Sequence, residues 1–226
     1  MKNLVVLTGA GMSAESGLKT FRDEDGLWEG HDVLQVATPE GFAKNPELVL
    51  EFYNQRRKQL KSAQPNRAHY ELAKLDRHFN VNIITQNVDD LHERAGSENV
   101  LHLHGELFKV RSTGNPRDIK KWEDDLCIGD KCEKGYQLRP HVVWFGEAVP
   151  MMDRAIKVCE KADIVLVIGT SLQVYPAASL MHYAKNEAHC YYIDPKPSIQ
   201  SNSRITVIPK TATEGMKEFL NMIEFN

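Results

Sequence analysis

Amide, carboxyl and imidazole side chains stand where two apolar segments of the sequence end. Gln86, Asn87 and Asp89 follow the apolar residues 81–84. His104 follows residues 100–103, which are also largely apolar. Amides and a carboxylate can hold a ligand by hydrogen bonds, and an imidazole can act as a base near neutral pH. Because this group contains a base but no nucleophile, it indicates chemistry on a bound cofactor.

Seven apolar, β-branched segments of strand length would position these groups. They are residues 4–7, 81–84, 100–103, 142–145, 164–168, 190–193 and 205–208. Because they are apolar on successive residues rather than alternate ones, they predict strands buried on both faces of a parallel sheet. Helical patterns fill the intervals at residues 46–63, 67–79, 152–161, 177–186 and 213–223. The sequence therefore predicts an α/β fold with a Rossmann-like, doubly wound parallel sheet.

Two segments do not fit a plain alternation of strands and helices. Residues 22–79 contain two helical patterns joined by a Pro-Asn turn, and residues 106–139 are polar and glycine-containing, which indicates loops. We assign both to a small module within a single catalytic domain spanning residues 1–226. The Rossmann-like core would then cover about residues 1–21, 80–105 and 140–226.

The composition argues against a nucleic-acid or membrane partner. The 226 residues carry a formal net charge of −3, and the lysines and arginines are scattered. A nucleic-acid binder would gather them on one face. The apolar residues 4–7 are too few for a signal peptide or a membrane span. The four cysteines lack the pattern of a disulfide framework, so we expect a soluble, cytoplasmic protein.

A glycine motif follows the first apolar segment. Gly9, Ala10, Gly11 and Ser13 belong to a G-x-G-x-x-A sequence, which is typical of dinucleotide-binding loops. An ordinary tight turn between a strand and a helix would also favour glycine. A dehydrogenase would place an acidic residue at the end of a second strand about 20 residues later, but residues 20–28 form a polar segment. An ordinary oxidoreductase is therefore disfavoured.

Two further strand ends carry polar residues. Gly169, Thr170 and Ser171 follow one apolar segment, and Asp194 follows another. In an open α/β sheet, ligands bind beyond the carboxyl ends of the strands. A capped turn and an Asp-Pro turn are the alternatives at these two places.

Six segments, in this order and spacing, resemble the sirtuin signature over nearly the whole chain. They are Gly9-Ala10-Gly11-Met12-Ser13-Ala14-Glu15-Ser16-Gly17, Thr20-Phe21-Arg22, Thr85-Gln86-Asn87-Val88-Asp89, His104-Gly105, Val143-Trp144-Phe145-Gly146-Glu147 and Gly169-Thr170-Ser171. The resemblance implies an NAD-dependent protein-lysine deacylase. In that family the acyl oxygen of a modified lysine attacks the ribose carbon that bears nicotinamide, which gives nicotinamide, O-acyl-ADP-ribose and free lysine.

The same resemblance implies roles for individual residues. His104 would be the catalytic base. Asn87 is also implied in catalysis, and together with Gln86 it would hold the nicotinamide ribose. Asp89 would receive the nicotinamide amide, although Asn and Asp after a strand are more often helix caps. The rest of the NAD site is implied at Gly9, Ala10, Gly11, Ser13, Glu15, Phe21, Arg22, Gly169, Thr170, Ser171 and Asp194.

Substrate-binding residues are implied at two edges. The modified peptide would add as a strand between them, a mode that tolerates varied peptide sequences. The residues implied for this are Val143, Phe145, Gly146, Glu147, Val174 and Tyr175.

A Tyr-x-x-Arg pair points to the acyl group. Tyr53 and Arg56 are three residues apart in a helical pattern and so share a face. A phenol beside a guanidinium can bind a carboxylate. The pair resembles that of bacterial desuccinylase-type sirtuins, which accept succinyl- and malonyl-lysine. A solvated basic face that continues to Lys58 is the alternative.

The chain departs from the sirtuin pattern at two places. Most members bind a structural zinc ion through two cysteine pairs, but only Cys127 and Cys132 stand in the corresponding region here, and two thiolates do not complete a tetrahedral site. We therefore expect no metal. Lys196 stands where the family has a carboxylate near the adenosine ribose, so that contact is in doubt.

Three other functions remain open from the sequence. One is an ADP-ribosyltransferase that uses the same nicotinamide cleavage, the second is a non-catalytic NAD sensor, and the third is the oxidoreductase already disfavoured. Acyl-lysine proteins are the expected partners, and the sequence makes no prediction of an oligomeric state.

Overall fold

The computed structural model describes residues 1–18, 27–28, 30–172, 175 and 177–223. None of the helices in these ranges is long and apolar enough to cross a membrane. In chain order the elements are β1 (Asn3–Thr8), α1 (Ala10–Ala14), β2 (Leu27–Trp28), β3 (His31–Asp32), α2 (Val33–Val36), α3 (Pro39–Lys44), α4 (Pro46–Ser62), α5 (Arg67–Lys74), β4 (Asn80–Thr85), α6 (Leu91–Arg94), β5 (Val100–His102), β6 (Gly105–Ser112), β7 (Ile119–Lys121), β8 (Leu138–Val142), α7 (Met152–Cys159), β9 (Ile164–Ile168), β10 (His189–Ile193), β11 (Ile205–Ile208) and α8 (Ala212–Met222), with 3₁₀ turns at Leu75–Arg77 and Ala177–Tyr183.

A six-stranded parallel sheet forms the centre of the fold, in the order β11-β10-β9-β1-β4-β5. From β1 the chain adds β4 and β5 on one side and then β9, β10 and β11 on the other. Thr8 at the end of β1 is in register with Thr85 on β4 and with Ile168 on β9. The loops that follow these three strands therefore start at the same level of one sheet edge.

Apolar side chains cover both faces of this sheet, which confirms the predicted α/β class. One core cluster joins β1, β4 and β9 to α5 and α8, and a second joins the opposite face to α7 and the 3₁₀ turn Ala177–Tyr183. Ala68, Leu72 and Leu75 belong to the first cluster. The helix α5 thus packs on the sheet, whereas the sequence assigned residues up to 79 to the small module.

The prediction of a core strand at residues 142–145 is wrong. Val142 ends β8, which pairs antiparallel with β6 in a separate three-stranded sheet of order β7-β6-β8. Beyond it the chain turns, because the Glu147 carboxylate accepts a hydrogen bond from the Trp144 amide (2.8 Å) and Gly146 has φ +87°. Only glycine adopts such a φ without strain.

The prediction of loops at residues 106–139 is also wrong, because most of β6, all of β7 and the start of β8 lie there. Buried Leu107 and Val110 alternate irregularly with polar residues along β6. A strand with one face toward polar surroundings does not show the continuous apolar run of a parallel core strand. The helical pattern at residues 177–186 is shorter than expected and forms the 3₁₀ turn Ala177–Tyr183.

Buried hydrogen bonds join the two segments of the small module, α4 and residues 106–139. The Asn54 side-chain amide donates to the Leu126 carbonyl (3.1 Å), and its oxygen accepts from the Leu126 amide (2.9 Å). The same oxygen accepts from Arg57 Nη1 (2.6 Å), and Arg57 Nε donates to the Leu107 carbonyl (3.1 Å). Leu126 in turn packs in an apolar cluster with Leu50, Val110, Cys132 and Leu138. The Asn54 side chain on α4 therefore binds both the loop at Leu126 and the buried Arg57.

We expect Asn54→Ala to lower the free energy of unfolding by about 2–3 kcal/mol, because it leaves buried backbone groups and a guanidinium without their partner. Gln55→Ala is the matched control, since Gln55 is exposed on the same helix and bonds only Glu51 at the surface (3.0 Å); it should change stability by less than about 0.5 kcal/mol. Urea unfolding measures both. A chelator should leave both midpoints unchanged, and equal stabilities of the two variants would contradict the account.

Candidate functional site

The loops after β1 and β9 pack backbone against backbone. Gly9 donates its amide to the Ile168 carbonyl (3.0 Å), and Gly11 donates to the Gly169 carbonyl (2.8 Å). A Cβ added at Gly11 would lie 2.7 Å from Gly169 Cα, and one added at Gly9 would lie 2.7 Å from Thr170 Cβ. Gly169 itself has φ +62°. The two loops therefore require glycine, and they leave a surface of bare backbone that a pyrophosphate can approach.

Asn87 connects this surface to the loop after β4. Its side-chain amide donates to the Gly9 carbonyl and to Ser13 Oγ, each at 3.1 Å. Its backbone amide donates to Thr85 Oγ1 (3.0 Å). All of these residues, Gly9 included, are buried. The amide side chain of Asn87 is thus fixed at the junction of two strand ends.

Asp89 ends a hydrogen-bonded chain that begins at Asn87. Ser13 Oγ accepts from the Asn87 amide and donates to Asp89 Oδ2 (2.9 Å). The other carboxyl oxygen accepts from the amide of Leu91, the first residue of α6 (3.2 Å). Burial raises the pKa of Asp89, and the bonds from Ser13 and Leu91 oppose this. Asp89 therefore binds the amide two residues ahead in a local turn, although the N-cap position of α6 belongs to Asp90, and it also binds the Ser13 hydroxyl.

His104 carries its proton on a defined nitrogen. Its Nδ1 lies 3.1 Å from the Gln86 carbonyl oxygen, which can only accept a hydrogen bond. Nδ1 is therefore the protonated nitrogen, and Nε2 of the neutral ring keeps its lone pair. Burial lowers the pKa of His104, and the Gln86 carbonyl opposes that shift in part. The neutral, basic form thus dominates at neutral pH.

Gln86 also reaches the third loop of the site. Its Nε2 donates to Thr170 Oγ1 (3.0 Å), and the Thr170 carbonyl accepts from the Tyr192 hydroxyl (2.9 Å). Asp194 is buried at the end of β10, where one of its oxygens accepts from the Lys196 amide (2.9 Å). That contact is the turn the sequence left open as an alternative. Ser171 lies beside these residues and accepts through its carbonyl from the Ser198 hydroxyl (3.0 Å).

Glu15 makes contacts that sequence reasoning missed. Its carboxylate accepts from the amide of Thr213 (2.9 Å) and from the hydroxyls of Thr213 (2.7 Å) and Thr211 (3.3 Å). It therefore caps the amino end of α8, about 200 residues away in sequence, and its role in an NAD site stays a prediction. Three other expected site residues, Phe21, Arg22 and Val174, lie outside the described residues.

The implied peptide edge at residues 143–147 is held mainly by partners within the chain. Val143 donates its amide to the His104 carbonyl (2.8 Å), and Phe145 donates to the Ala37 carbonyl (2.9 Å). The side chains of Phe145 and Tyr175 remain 46% and 75% exposed. Phe145 in this edge and Tyr175 in the other implied edge are therefore accessible at the surface.

Glu147 is engaged within the protein. It accepts hydrogen bonds from Arg111 Nη2 (2.9 Å) and from Arg139 Nη1 (2.7 Å) and Nη2 (3.1 Å). Burial raises the pKa of Glu147, but the hydrogen bonds from Arg139 and the Trp144 amide outweigh this effect and bring the pKa below its ordinary value. The carboxylate therefore stays charged. The sequence placed Glu147 at the substrate, whereas its carboxylate here fixes the turn after β8.

A stack of side chains holds the Tyr53 hydroxyl. Trp144 Nε1 donates to Tyr53 Oη (2.9 Å), and the Arg139 guanidinium carbon lies 3.2 Å from the centre of the Trp144 ring system. Burial raises the pKa of Tyr53, so its phenol is neutral. Sequence reasoning missed Trp144 and Arg139 in this role, because neither is close to Tyr53 in sequence.

Arg56 does not belong to a solvated face. It is buried one helical turn after Tyr53, and its guanidinium carbon lies 5.9 Å from the centre of the Phe52 ring. Lys58, by contrast, is exposed and pairs with Asp125 (2.9 Å) at the surface. The alternative reading of a basic, solvated face therefore describes Lys58 but not Arg56.

A zinc ion does not fit the residues of the small module. Cys127 is exposed, whereas Cys132 is buried with its sulfur 3.3 Å from the Ser112 hydroxyl, which donates to it. Across the described ranges, no group of three or more His, Cys, Asp or Glu side chains could hold a metal ion. The expected absence of metal stays a prediction.

Comparison with known protein families finds one that accounts for most of the chain. The model of the Sir2 family matches residues 9–176. A protein from Helicobacter pylori named NAD-dependent protein deacylase is 57% identical over 221 residues, which are 97% of this chain and 96% of that protein. A protein of the same name from Bacteroides thetaiotaomicron is 56% identical and covers 99% of this chain and 98% of its own length.

Solved structures show the same likeness. The crystal structure of a Sir2 homologue in complex with NAD superposes with a TM-score of 0.88 at 45% identity, covering 97% of this chain and 88% of that one. A complex described as Sir2 with a p53 peptide and NAD has a TM-score of 0.79 at 28% identity, covering 96% of this chain and 92% of that one.

We expect His104 to titrate below the ordinary histidine pKa of 6.5 and to carry the proton of its neutral form on Nδ1. Burial disfavours the charged ring, and the Gln86 carbonyl accepts only from a protonated Nδ1. Nitrogen-15 NMR of the ring over a pH series reports both properties. Titration at or above 6.5 would show that burial does not govern the pKa, and a neutral form protonated on Nε2 would show that the carbonyl contact does not set the tautomer.

Proposed function

Because the chain belongs to the Sir2 family and is an NAD-dependent protein deacylase, we propose that it removes acetyl groups and also succinyl and malonyl groups from lysine side chains. We propose that the products are nicotinamide, O-acyl-ADP-ribose and the free lysine. NAD supplies a ribose carbon that becomes electrophilic as nicotinamide leaves. The nucleophile is the acyl oxygen of the substrate, which explains why the site needs a base but no nucleophilic side chain.

His104 acts as the base in this proposal. Its Nδ1 is committed to the Gln86 carbonyl, so its Nε2 is the nitrogen that accepts a proton from a ribose hydroxyl. The pKa lowered by burial keeps this nitrogen unprotonated at neutral pH. A ring fixed through one nitrogen presents the other in a constant direction, which lowers the entropy lost when the proton is transferred.

Asn87 and Asp89 hold the nicotinamide half of NAD. The chain from the Asn87 amide through the Ser13 hydroxyl to the Asp89 carboxylate gives each group a fixed orientation before the cofactor binds. Asp89 is an acceptor for the carboxamide of nicotinamide, and Asn87 lies between that carboxylate and Gly9. The glycine loops at Gly9 and Gly169 receive the pyrophosphate, since no side chain there blocks its approach.

One observation carries the proposed acyl preference: a guanidinium is buried on the same face of α4 as the Tyr53 phenol. A guanidinium presents several N–H donors in a planar arrangement that matches a carboxylate. A succinyl or malonyl group carries such a carboxylate. The indole of Trp144 donates to the Tyr53 oxygen, so the phenol directs its own proton away from the indole and can donate to a carboxylate.

The proteins that carry the acyl groups bind through their backbone in this proposal. The exposed rings of Phe145 and Tyr175 flank the site where a peptide strand would lie. Backbone pairing leaves sequence specificity low and places selectivity in the acyl pocket. A cytoplasmic location belongs to the same proposal and is supported by free cysteines, of which Cys159 and Cys190 are buried thiols with pKa values raised to about 12 by burial.

We expect Arg56→Met to reduce kcat/KM for a succinyl-lysine peptide by at least about tenfold, because a charge-assisted hydrogen bond contributes about 1.5–3 kcal/mol. The same variant should keep acetyl-lysine turnover within about threefold, since an acetyl group has no carboxylate. Turnover of both peptides with NAD is measured by nicotinamide release.

Lys58→Met is the matched control, because it removes a cation from the same helix two residues later but from the exposed face. It should leave both activities as in the wild type. An equal loss of both activities in Arg56→Met would show that Arg56 supports the fold and does not read the acyl group.

A further inference from the structure

His102 bridges two acceptors on opposite sides of its ring. Nδ1 lies 3.0 Å from the Asn87 carbonyl oxygen, and Nε2 lies 2.8 Å from Glu93 Oε1. The side chain of His102 is only 8% exposed, whereas that of Glu93 is 40% exposed. A carbonyl oxygen and a carboxylate can only accept hydrogen bonds, so both ring nitrogens must donate. Geometry therefore makes His102 an imidazolium cation paired with the Glu93 carboxylate.

The His102 cation contacts the candidate site through the Asn87 carbonyl. His102 is the last residue of β5 and is in register with Thr85 at the end of β4. It binds the Asn87 carbonyl while the Asn87 side chain faces Gly9 and Ser13. Two residues on, His104 binds the preceding carbonyl, that of Gln86. His102 and His104 thus bind the carbonyls of Asn87 and Gln86, which are successive residues of the loop after β4.

We propose that His102 is a positioning residue, which as a cation holds the Asn87 carbonyl and thereby sets the Asn87 amide and the Asp89 carboxylate for the nicotinamide half of NAD. The inference rests on the proposed roles of Asn87 and Asp89 but is independent of the acyl group. Loss of the His102 proton removes one of its two donors, so either the carbonyl or the carboxylate loses its partner. The loop then loosens, and NAD binds less tightly.

Charged and titratable groups from several elements surround His102. They are Glu93 and His92 on α6, Asp89 in the loop before α6, and Glu106 on β6, with Lys109 acting on Glu93 and pairing with Glu106. Burial lowers the pKa of His102, but the hydrogen bond and charge of Glu93, the Asn87 carbonyl and Glu106 together raise it above 6.5. Burial raises the pKa of Glu93, and the His102 bond and charge bring it below the ordinary value.

The direction of the pH effect follows from these shifts. A histidine whose pKa is raised by folding stabilises the folded state fully below its unfolded pKa, and this contribution is lost as the pH rises through the folded pKa. The positioning effect should follow the same course. It is complete below pH 6.5 and is lost as the pH rises through the raised pKa of His102.

The test is calorimetric binding of NAD and of ADP to the full chain over a pH series, without an acyl peptide. ADP carries the adenosine and pyrophosphate but neither the second ribose nor nicotinamide. For the wild type we expect NAD affinity to fall as the pH rises through the pKa of His102, and we expect no such fall for ADP. Glu93→Gln should move the NAD midpoint to lower pH, because the amide keeps an acceptor but loses the charge.

His102→Gln should abolish this pH dependence and weaken NAD binding by about tenfold below pH 6.5, with ADP binding changed by less than about twofold. Glu160→Gln, which removes an exposed carboxylate at the end of α7, should behave as the wild type. Because Glu93 is partly exposed, its variant keeps the test valid even where His102→Gln fails to fold.

An unchanged NAD midpoint in Glu93→Gln, or an equal weakening of NAD and ADP in that variant, would overturn the proposal and leave His102 a structural residue. Failure of the proposed site itself would look different. In that case Asn87→Ala, measured in the same series, would bind NAD as tightly as the wild type.

Discussion

The hydrogen bonds of the Asn87 side chain to the Gly9 carbonyl and Ser13 Oγ are the contact on which the site depends. They are possible only because β1 and β4 end in register and because the glycine loops allow close approach of backbone atoms. The Ser13 hydroxyl in turn donates to Asp89. His102 and His104 bind the backbone carbonyls of the same loop after β4. A buried polar network of this kind is rigid when every member has a partner.

Hydrogen bonds and apolar packing hold the segments of the small module together. Here the Asn54 amide bonds both backbone groups of Leu126, and Arg57 bonds the Leu107 carbonyl on β6. The apolar cluster around Leu126 excludes water from these bonds, which strengthens them. These contacts fix α4, the helix that carries Tyr53 and Arg56, against β6 and the Leu126 loop.

Sequence alone was sufficient for the parallel sheet, because its strands are buried on both faces and are therefore continuously apolar. It was insufficient for β6 and β8, whose polar residues conceal the strand pattern, and for the turn at residues 143–147, which depends on Arg111 and Arg139. Motifs at strand ends indicated Asn87, Asp89 and His104. The partners of Glu15 and Tyr53 could not be found in this way, since they lie 196–198 and 91 residues away and only the fold brings them together.

The central claim is that the protein transfers an acyl group from lysine to the ADP-ribose part of NAD, and that the buried Arg56 binds the carboxylate of that acyl group. Mass spectrometry of the products formed from a succinyl-lysine peptide and NAD tests it most directly. The account predicts nicotinamide, the unmodified lysine peptide and succinyl-ADP-ribose in equal amounts. A peptide that carries ADP-ribose, or free succinate formed without release of nicotinamide, would contradict it.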